Sequence, residues 1–174
     1  MIVGVLIVLA ALAAFLVFVN AKPNTFQLER SILIAAPLEK IRPWIEDFHR
    51  WGAWSPWEKL DPAMRRTYSG APSGLGAAYA WESKGKAGEG RMEIVGSAPE
   101  QTSLTLDFLK PFKASNRAEF SYRPEAGGTR LTWRMHGPQP FVGKLMRTVF
   151  DMDKLVGKDF EAGLVALKTA AEGR

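Results

Sequence analysis

The sequence predicts an α+β fold: a curved antiparallel sheet of seven strands wrapped on a long C-terminal helix, carried behind an N-terminal transmembrane helix. Three observations predict it. The first residues form an uncharged apolar run, the middle of the chain alternates apolar and polar residues between short turns, and beyond residue 140 the apolar period lengthens to three or four. At 174 residues the chain suffices for one domain with a sizeable core, and 47% hydrophobic against 24% charged residues marks it as globular. Cysteine is absent, which excludes disulfides, thiolate metal sites and cysteine nucleophiles.

The apolar run, IVGVLIVLAALAAFLVFV, extends from Ile2 to Val19 without a charge or a proline. At about 1.5 Å per residue it is roughly 27 Å long, close to the hydrocarbon thickness of a bilayer. No Lys or Arg precedes it, so residues 1–21 read as an uncleaved single-pass anchor. Val19-Asn20-Ala21 would also pass as a small-residue cleavage site, which keeps a signal-like segment open. Lys22, Arg30, Lys40 and Arg42 follow the run and lean the folded part towards the cytoplasmic side. Residues 22–24 are a linker, and the domain proper is residues 25–174.

In FQLERSILI, Phe26, Leu28, Ile32 and Ile34 share one parity, the mark of a half-buried strand, with Arg30 on the same parity. Pro37 then opens a helix through LEKIRPWIEDF, with Leu38, Ile41, Trp44, Ile45 and Phe48 on one face. Pro43 inside that run predicts a bend or two short helices. The stretch WGAWSPWEKLDP follows, where Ser55-Pro56 stops regular helix before the third tryptophan. Trp51 and Trp54 are expected to plug the end of the core and Trp57 to reach the mouth of any cavity. Asp61-Pro62 makes a turn, with Glu58 accepting backbone hydrogen bonds.

Six alternating segments come next: MRRTYSG, AAYAWES, GRMEIVGS, TSLTLDFL, SNRAEFSYR and TRLTWRMHG. Their connections are short enough for antiparallel hairpins, so they form a meander. Parity assigns one face to Tyr79, Trp81, Met92, Ile94, Leu104, Leu106, Phe108, Ala118, Phe120, Tyr122, Leu131, Trp133 and Met135, and leaves the other face charged. From Phe141 to Gly173 the apolar residues Leu145, Val149, Met152, Val156, Phe160 and Leu167, with Gly163, recur at helical steps and predict one long amphipathic helix. Gly157 and Gly163 inside it, each about 1 kcal/mol worse than Ala in a helix, point to close backbone packing or to space left for something else.

From Phe26 to Glu172 the chain resembles the START-like or SRPBCC helix-grip superfamily, in particular its polyketide cyclase/dehydrase and lipid-transport-like members. ERSILIAAPLEKI, WSPWEKLDP, GGTRLTWRMHG and GKDFEAGLVALK, in this order, carry the resemblance. It implies a cavity between the sheet and the C-terminal helix that holds a hydrophobic small molecule, and it fixes no reaction.

The residues named for such a cavity are Trp57, Tyr79, Trp81, Met92, Phe108, Asn116, Phe120, Trp133 and Phe160, against the alternative that each aromatic is core packing. Arg30 and Asn116 are either polar anchors or strand-end residues. Catalysis has little to work with. His49 and His136 have no local triad motif, and Glu58, Glu82 and Tyr122 are the candidates for acid, base or hydrogen-bond donor. Asp151-x-Asp153 reads as a solvated pair, so no metal and no cofactor is expected. The charge of +5 and Arg117, Arg123, Arg130 and Arg134 on the outer face suit anionic lipid headgroups better than nucleic acid, because the aromatics point the other way. The expected function is binding of a lipid or other hydrophobic molecule at a membrane surface. The alternatives are a cyclase/dehydrase-like enzyme, and a non-catalytic interaction domain whose cavity is filled. Oligomeric state is not encoded.

Overall fold

The computed structural model describes residues 2–173. Its elements are α1 (Ile2–Asn20), β1 (Thr25–Ile34), α2 (Leu38–Glu46), two 3₁₀ turns (Phe48–Ala53 and Pro56–Lys59), β2 (Arg65–Gly70), β3 (Ala77–Glu82), β4 (Glu89–Ala98), β5 (Gln101–Lys110), β6 (Ala114–Glu125), β7 (Gly128–Pro138), α3 (Phe141–Val149) and α4 (Met152–Glu172). The seven strands make one antiparallel sheet in the order β1-β7-β6-β5-β4-β3-β2. Short hairpins order β2 to β7 by sequence, and the first strand closes the sheet by pairing with the last, Ile32 opposite Leu131 and Leu28 opposite Met135.

The period-two reading holds in β3, β6 and most of β7, while β2 is exposed at nearly every position and β4 loses the alternation at a register shift after Ile94. Ile94, Leu104, Phe120 and Leu131 are fully buried on the inner face, and Phe160, Leu164 and Leu167 of α4 pack on it. α2 is one helix with Pro43 inside it rather than two. Trp51 and Trp54 are buried behind it, their indole N–H groups donating to Ile45 O at 3.0 Å and Trp44 O at 2.8 Å. The inward arginines of the two edge strands are satisfied from outside the sheet. Arg30 on β1 bonds Glu161 at 2.8 Å and Asp153 at 3.1 Å on α4, so it is a strand-to-helix tie and not a cavity anchor.

The C-terminal segment departs from the expected single helix. Phe150 is extended (φ −117°, ψ 139°), and the Asp151 carboxylate accepts the Lys154 N–H at 3.0 Å, capping a new helix. Asp151 is therefore an N-cap, a role its short side chain performs better than mid-helix residence. The break resets the helical phase. Val149, expected on the sheet-facing stripe, is exposed, and Lys144 is buried instead. Met152, expected on the same stripe, lies outside the residues whose side chains are described.

Both glycines of α4 serve close packing. A Cβ on Gly163 would lie 3.1 Å from Trp133 and 3.2 Å from Pro56, and one on Gly157 would overlap the Arg30 guanidinium. α1 is exposed along its length except at Val19, and its mean hydropathy of 3.2 makes it long and apolar enough to cross a membrane, as an anchor or as a signal segment.

Candidate functional site

The register places seven positions at one end of the sheet: Thr25, Pro138, Ala114, Phe108, Glu89, Glu82 and Arg65. Behind that end the inner face is hollow. A cavity of about 340 Å³ lies between the sheet and the start of α4, within the range of small-molecule pockets. Tyr79 and Trp81 of β3, Met92 of β4, Leu106 and Phe108 of β5, and Met135 of β7 form its floor. Trp51, Trp57, Leu60, Met64, Ala87 and Val156 form its walls and rim, and Ser55, Glu58 and Lys86 bring the side-chain polar atoms besides the Tyr79 hydroxyl.

The floor owes its shape to one glycine. Trp81 lies flat across β4 because Gly90 has no side chain, and a Cβ there would come within 2.4 Å of the indole. The indole N–H donates to Ala87 O at 3.0 Å, fixing the ring at the rim. Trp57 packs edge-on to Trp133 and Phe160, at ring separations of 5.5 and 5.9 Å, so it marks the boundary between the cavity and the filled core.

Glu58 is the centre of the polar corner. Its side chain is 9% exposed and its carboxylate accepts the Tyr79 hydroxyl at 2.5 Å and Arg66 Nε at 2.7 Å; Arg66 also donates to the Glu58 carbonyl at 2.9 Å. Glu58 thus binds side chains, not the backbone of the Asp61-Pro62 turn. That turn is held by Asp61, which accepts from Ala63 N at 2.9 Å and Ser83 Oγ at 2.5 Å. Burial first, and the adjacent Glu58 carboxylate second, hold the Tyr79 phenol neutral far above its ordinary range. The Glu58 hydrogen bond likewise raises Arg66. The corner is a neutral hydroxyl beside a compensated ion pair, able to orient one polar group of an otherwise apolar guest.

The sequence-named residues divide. Trp57, Tyr79, Trp81, Met92, Phe108 and Glu58 face the cavity. Phe120, Trp133 and Phe160 do not: they stack on one another, Trp133 at 5.1 Å from Phe120 and 4.0 Å from Phe160, as filled core. Asn116 is buried over Gly137 with an unpartnered Oδ1, outside the cavity wall. Glu82 is on the outer face, paired with Arg65 at 2.8 Å. The Tyr122 hydroxyl is turned to Thr102 at 2.7 Å, in a polar cluster with Glu46, and burial raises its pKa. Neither reaches the cavity. His49 stacks on Tyr68, and His136 lies 3.6 Å from Glu119 on the outer face. Among the described residues no group of three or more His, Asp or Glu is placed to hold a metal ion. Arg66 and Met135 gain site positions that the sequence reading did not give them. Arg66 shares the parity of Met64 and Tyr68, which was the signal available.

Solved structures share this fold. Protein CV1439 from Chromobacterium violaceum is 15% identical, with 87% of this chain and 99% of that chain covered and a TM-score of 0.58. TTHA0849 from Thermus thermophilus is 17% identical over 85% and 98% of the two chains, with a TM-score of 0.59. The di-domain ARO/CYC StfQ from the steffimycin biosynthetic pathway is 14% identical, and this chain spans 52% of it at a TM-score of 0.60. No curated protein matches the chain. Residues 25–172 match the family described as polyketide cyclase / dehydrase and lipid transport, and the chain belongs to that family.

Proposed function

We propose that the domain binds a hydrophobic small molecule, a lipid being the foremost candidate, in the cavity between the sheet and α4, and that α1 holds the domain at a membrane. The cavity carries this reading: about 340 Å³ of space with an aromatic and aliphatic wall and one polar corner. A liquid water occupies about 30 Å³, so the space exceeds what a few waters fill, and the alternative of a cavity closed by its own side chains loses its support. Apolar surface leaving water contributes about 25 cal/mol per Å². A guest burying on the order of 300 Å² would therefore gain about 7 kcal/mol before the cost of immobilising it.

Native mass spectrometry of the full chain, released from vesicles made from a total lipid extract, tests the proposal. An added mass is expected, and it should be absent from Leu106→Trp, which fills the floor. A bare mass for both proteins would overturn the reading.

The second reading, a cyclase/dehydrase-like enzyme, rests on the Tyr79–Glu58 contact of 2.5 Å facing the cavity. There a guest carbonyl oxygen would take over the Tyr79 hydroxyl proton that Glu58 now accepts, and the released Glu58 carboxylate would act as general base. Tyr79→Phe and Glu58→Gln should each lower turnover of an accepted ketone at least tenfold, while Glu82→Gln should not. Unchanged turnover in Tyr79→Phe would remove this reading and leave the binding proposal standing.

A further inference from the structure

The cavity mouth, the exit of α1 and a group of exposed apolar side chains lie at the same end of the sheet. Strand β1 begins there, at Thr25, so the linker from α1 arrives beside Pro138 and the hairpin between β5 and β6. At this end Phe112, at the tip of that hairpin, is 77% exposed.

The helix α3 begins at the same place and is built inside out. A helix on a soluble domain turns its apolar stripe inward and its charges outward. In α3 the order is reversed: Lys144 is buried, while Val142, Met146 and Val149, at helical spacing on one face, are exposed, with Phe141 and Phe150 beside them. The burial of Lys144 has a specific cause. Its ammonium donates to the carbonyl of Asn20, the last residue of α1, at 2.8 Å, and Val19 of α1 is fully buried where the two helices meet. The last turn of the apolar helix is therefore fastened to α3. If α1 crosses a bilayer, α3 is held where α1 leaves it, at headgroup depth.

Charge completes the surface. Lys84 and Lys86 in the hairpin between β3 and β4, Lys113 beside Phe112, and Arg147 on α3 are exposed and have no ion-pair partner among the described residues. By contrast Arg123, Arg130 and Arg134 on the outer face of the sheet are paired with Glu125, Glu29 and Glu119, while Arg117 on that face is exposed and has no ion-pair partner among the described residues. Unpaired cations around exposed apolar side chains are the composition of a surface that settles into an anionic membrane interface.

We infer that the cavity-mouth end of the domain docks on the bilayer, with the outer face of α3 and Phe112 inserted at headgroup level. The cavity then opens onto the lipid phase, and its guest passes between membrane and cavity without crossing bulk water. The inference rests on the reading of α1 as a membrane span and deepens the proposal of a hydrophobic guest.

The natural absence of cysteine makes the test direct. Single cysteines in the full chain at Leu12, Phe112, Met146 and Val95 carry an environment-sensitive fluorophore in vesicles of phosphatidylcholine and phosphatidylglycerol with nitroxide-labelled acyl chains. Leu12 lies in α1, and Val95 lies on the outer sheet face nearer the opposite end. Quenching at Phe112→Cys and Met146→Cys should exceed that at Val95→Cys several-fold and should fall when phosphatidylglycerol is omitted, with Leu12→Cys unaffected by the omission.

Quenching at Leu12→Cys with Phe112→Cys and Met146→Cys no different from Val95→Cys would overturn the docking surface and leave the anchor intact. Protection of the same two labels by disulfide cross-linking to a second copy would overturn it as well. An unquenched Leu12→Cys would remove the membrane span itself, and the docking surface with it. Uptake of a labelled fatty acid gives a further arm: the Phe112→Asp, Met146→Asp double variant should take it up at least severalfold more slowly from vesicles and at the unaltered rate from detergent solution. Equal rates from vesicles would overturn the lipid-phase route.

Discussion

At the far end of the sheet the inner face is solid: Ile94, Leu104, Phe120 and Leu131 are fully buried, with Trp133 behind them and Phe160, Leu164 and Leu167 of α4 seated on top. At the near end the same strands offer Trp81, Met92, Leu106, Phe108 and Met135, side chains of equal size and polarity, yet these border a cavity. The floor is alike in both halves, and the roof differs. Over the far half α4 delivers Phe160 and two leucines, and Trp54 wedges in from the side, edge-on to Phe120 and Trp133. Over the near half, among the described residues, the cavity meets α4 only at Val156, next to Gly157, whose missing side chain admits the Arg30 guanidinium. A hollow is made by what covers a surface rather than by the surface itself.

Truncation in the two halves gives the largest contrast. Trp133→Ala removes a ring stacked at 4.0 Å on Phe160 and should cost about 3–5 kcal/mol, as large aromatic deletions in filled cores do. Phe108→Ala only enlarges space that already exists, so its cost should be no more than about half that. Urea denaturation of both variants checks the pair. Equal losses would mean that the near half is as well packed in solution as the far half.

A second contrast concerns charge. Glu58→Gln leaves Arg66 beside the cavity without its carboxylate, where the two side chains are only 27% and 9% exposed. The expected loss is about 1–3 kcal/mol. Glu82→Gln breaks a pair of similar length on the outer face, where the partners are 72% and 56% exposed, and should change stability by less than about 0.5 kcal/mol. Thermal unfolding at neutral pH, repeated in high salt, separates the two. Salt should weaken the Arg65–Glu82 pair and leave the buried one nearly unchanged.

The α+β class, the strands and the inner face were legible because period-two alternation and short Gly- or Pro-bearing turns leave few other arrangements. Tyr79, Trp81, Met92 and Phe108 were correctly placed on one side by parity alone. Parity cannot say whether that side is covered, so Phe120 and Trp133 carried the same signal as Trp81 and proved to be core. Phe160 was misplaced for a related reason. Periodicity gives the stripe of a helix but not which strand residue lies under each turn, and Phe160 sits over Trp133. The break at Asp151 was visible in principle, since an Asp three residues before Lys154 is a capping pattern, but a carboxylate pair invites a charge reading first. Arg66 and Arg30 were both on inward parity. Inward charges on edge strands are a recognised way to blunt an edge, and each here finds a carboxylate, Glu58 for one and Glu161 with Asp153 for the other.

The two helix glycines sharpen the comparison of roofs. Gly163→Ala drives a methyl group against Trp133 and Pro56, rigid groups at 3.1 and 3.2 Å, and should cost about 1–3 kcal/mol by overpacking. Gly157→Ala meets only the end of a flexible arginine. The helix gains about 1 kcal/mol from the better former, the exposed Arg30 pairs are displaced, and the net change should lie near zero. Chemical denaturation of the two single variants decides it. A loss in Gly157→Ala as large as that in Gly163→Ala would show that the near roof is as tightly fitted as the far one.

The smallest expected effect is alkaline. Tyr79 and Tyr122 both have phenol pKa values raised by burial, Tyr79 at the cavity corner and Tyr122 in the filled half. A raised pKa means that the folded state keeps the proton that the unfolded chain gives up. Each phenol therefore contributes its stability fully below the unfolded value of about 10, and the contribution declines as pH rises above it towards the folded value. Lysines titrate in the same window, so single variants are compared with the parent. Tyr79→Phe should flatten the fall in Tm above pH ~10, because the group that must ionise on unfolding is gone, and Tyr122→Phe should do the same. The folded state already keeps the Tyr79 proton across this window, so saturating guest should leave the slope of the alkaline fall unchanged; a guest whose polar group meets the Tyr79 hydroxyl should instead raise Tm less in Tyr79→Phe than in the parent or in Tyr122→Phe. Identical guest effects in all three proteins would separate the polar corner from the binding site.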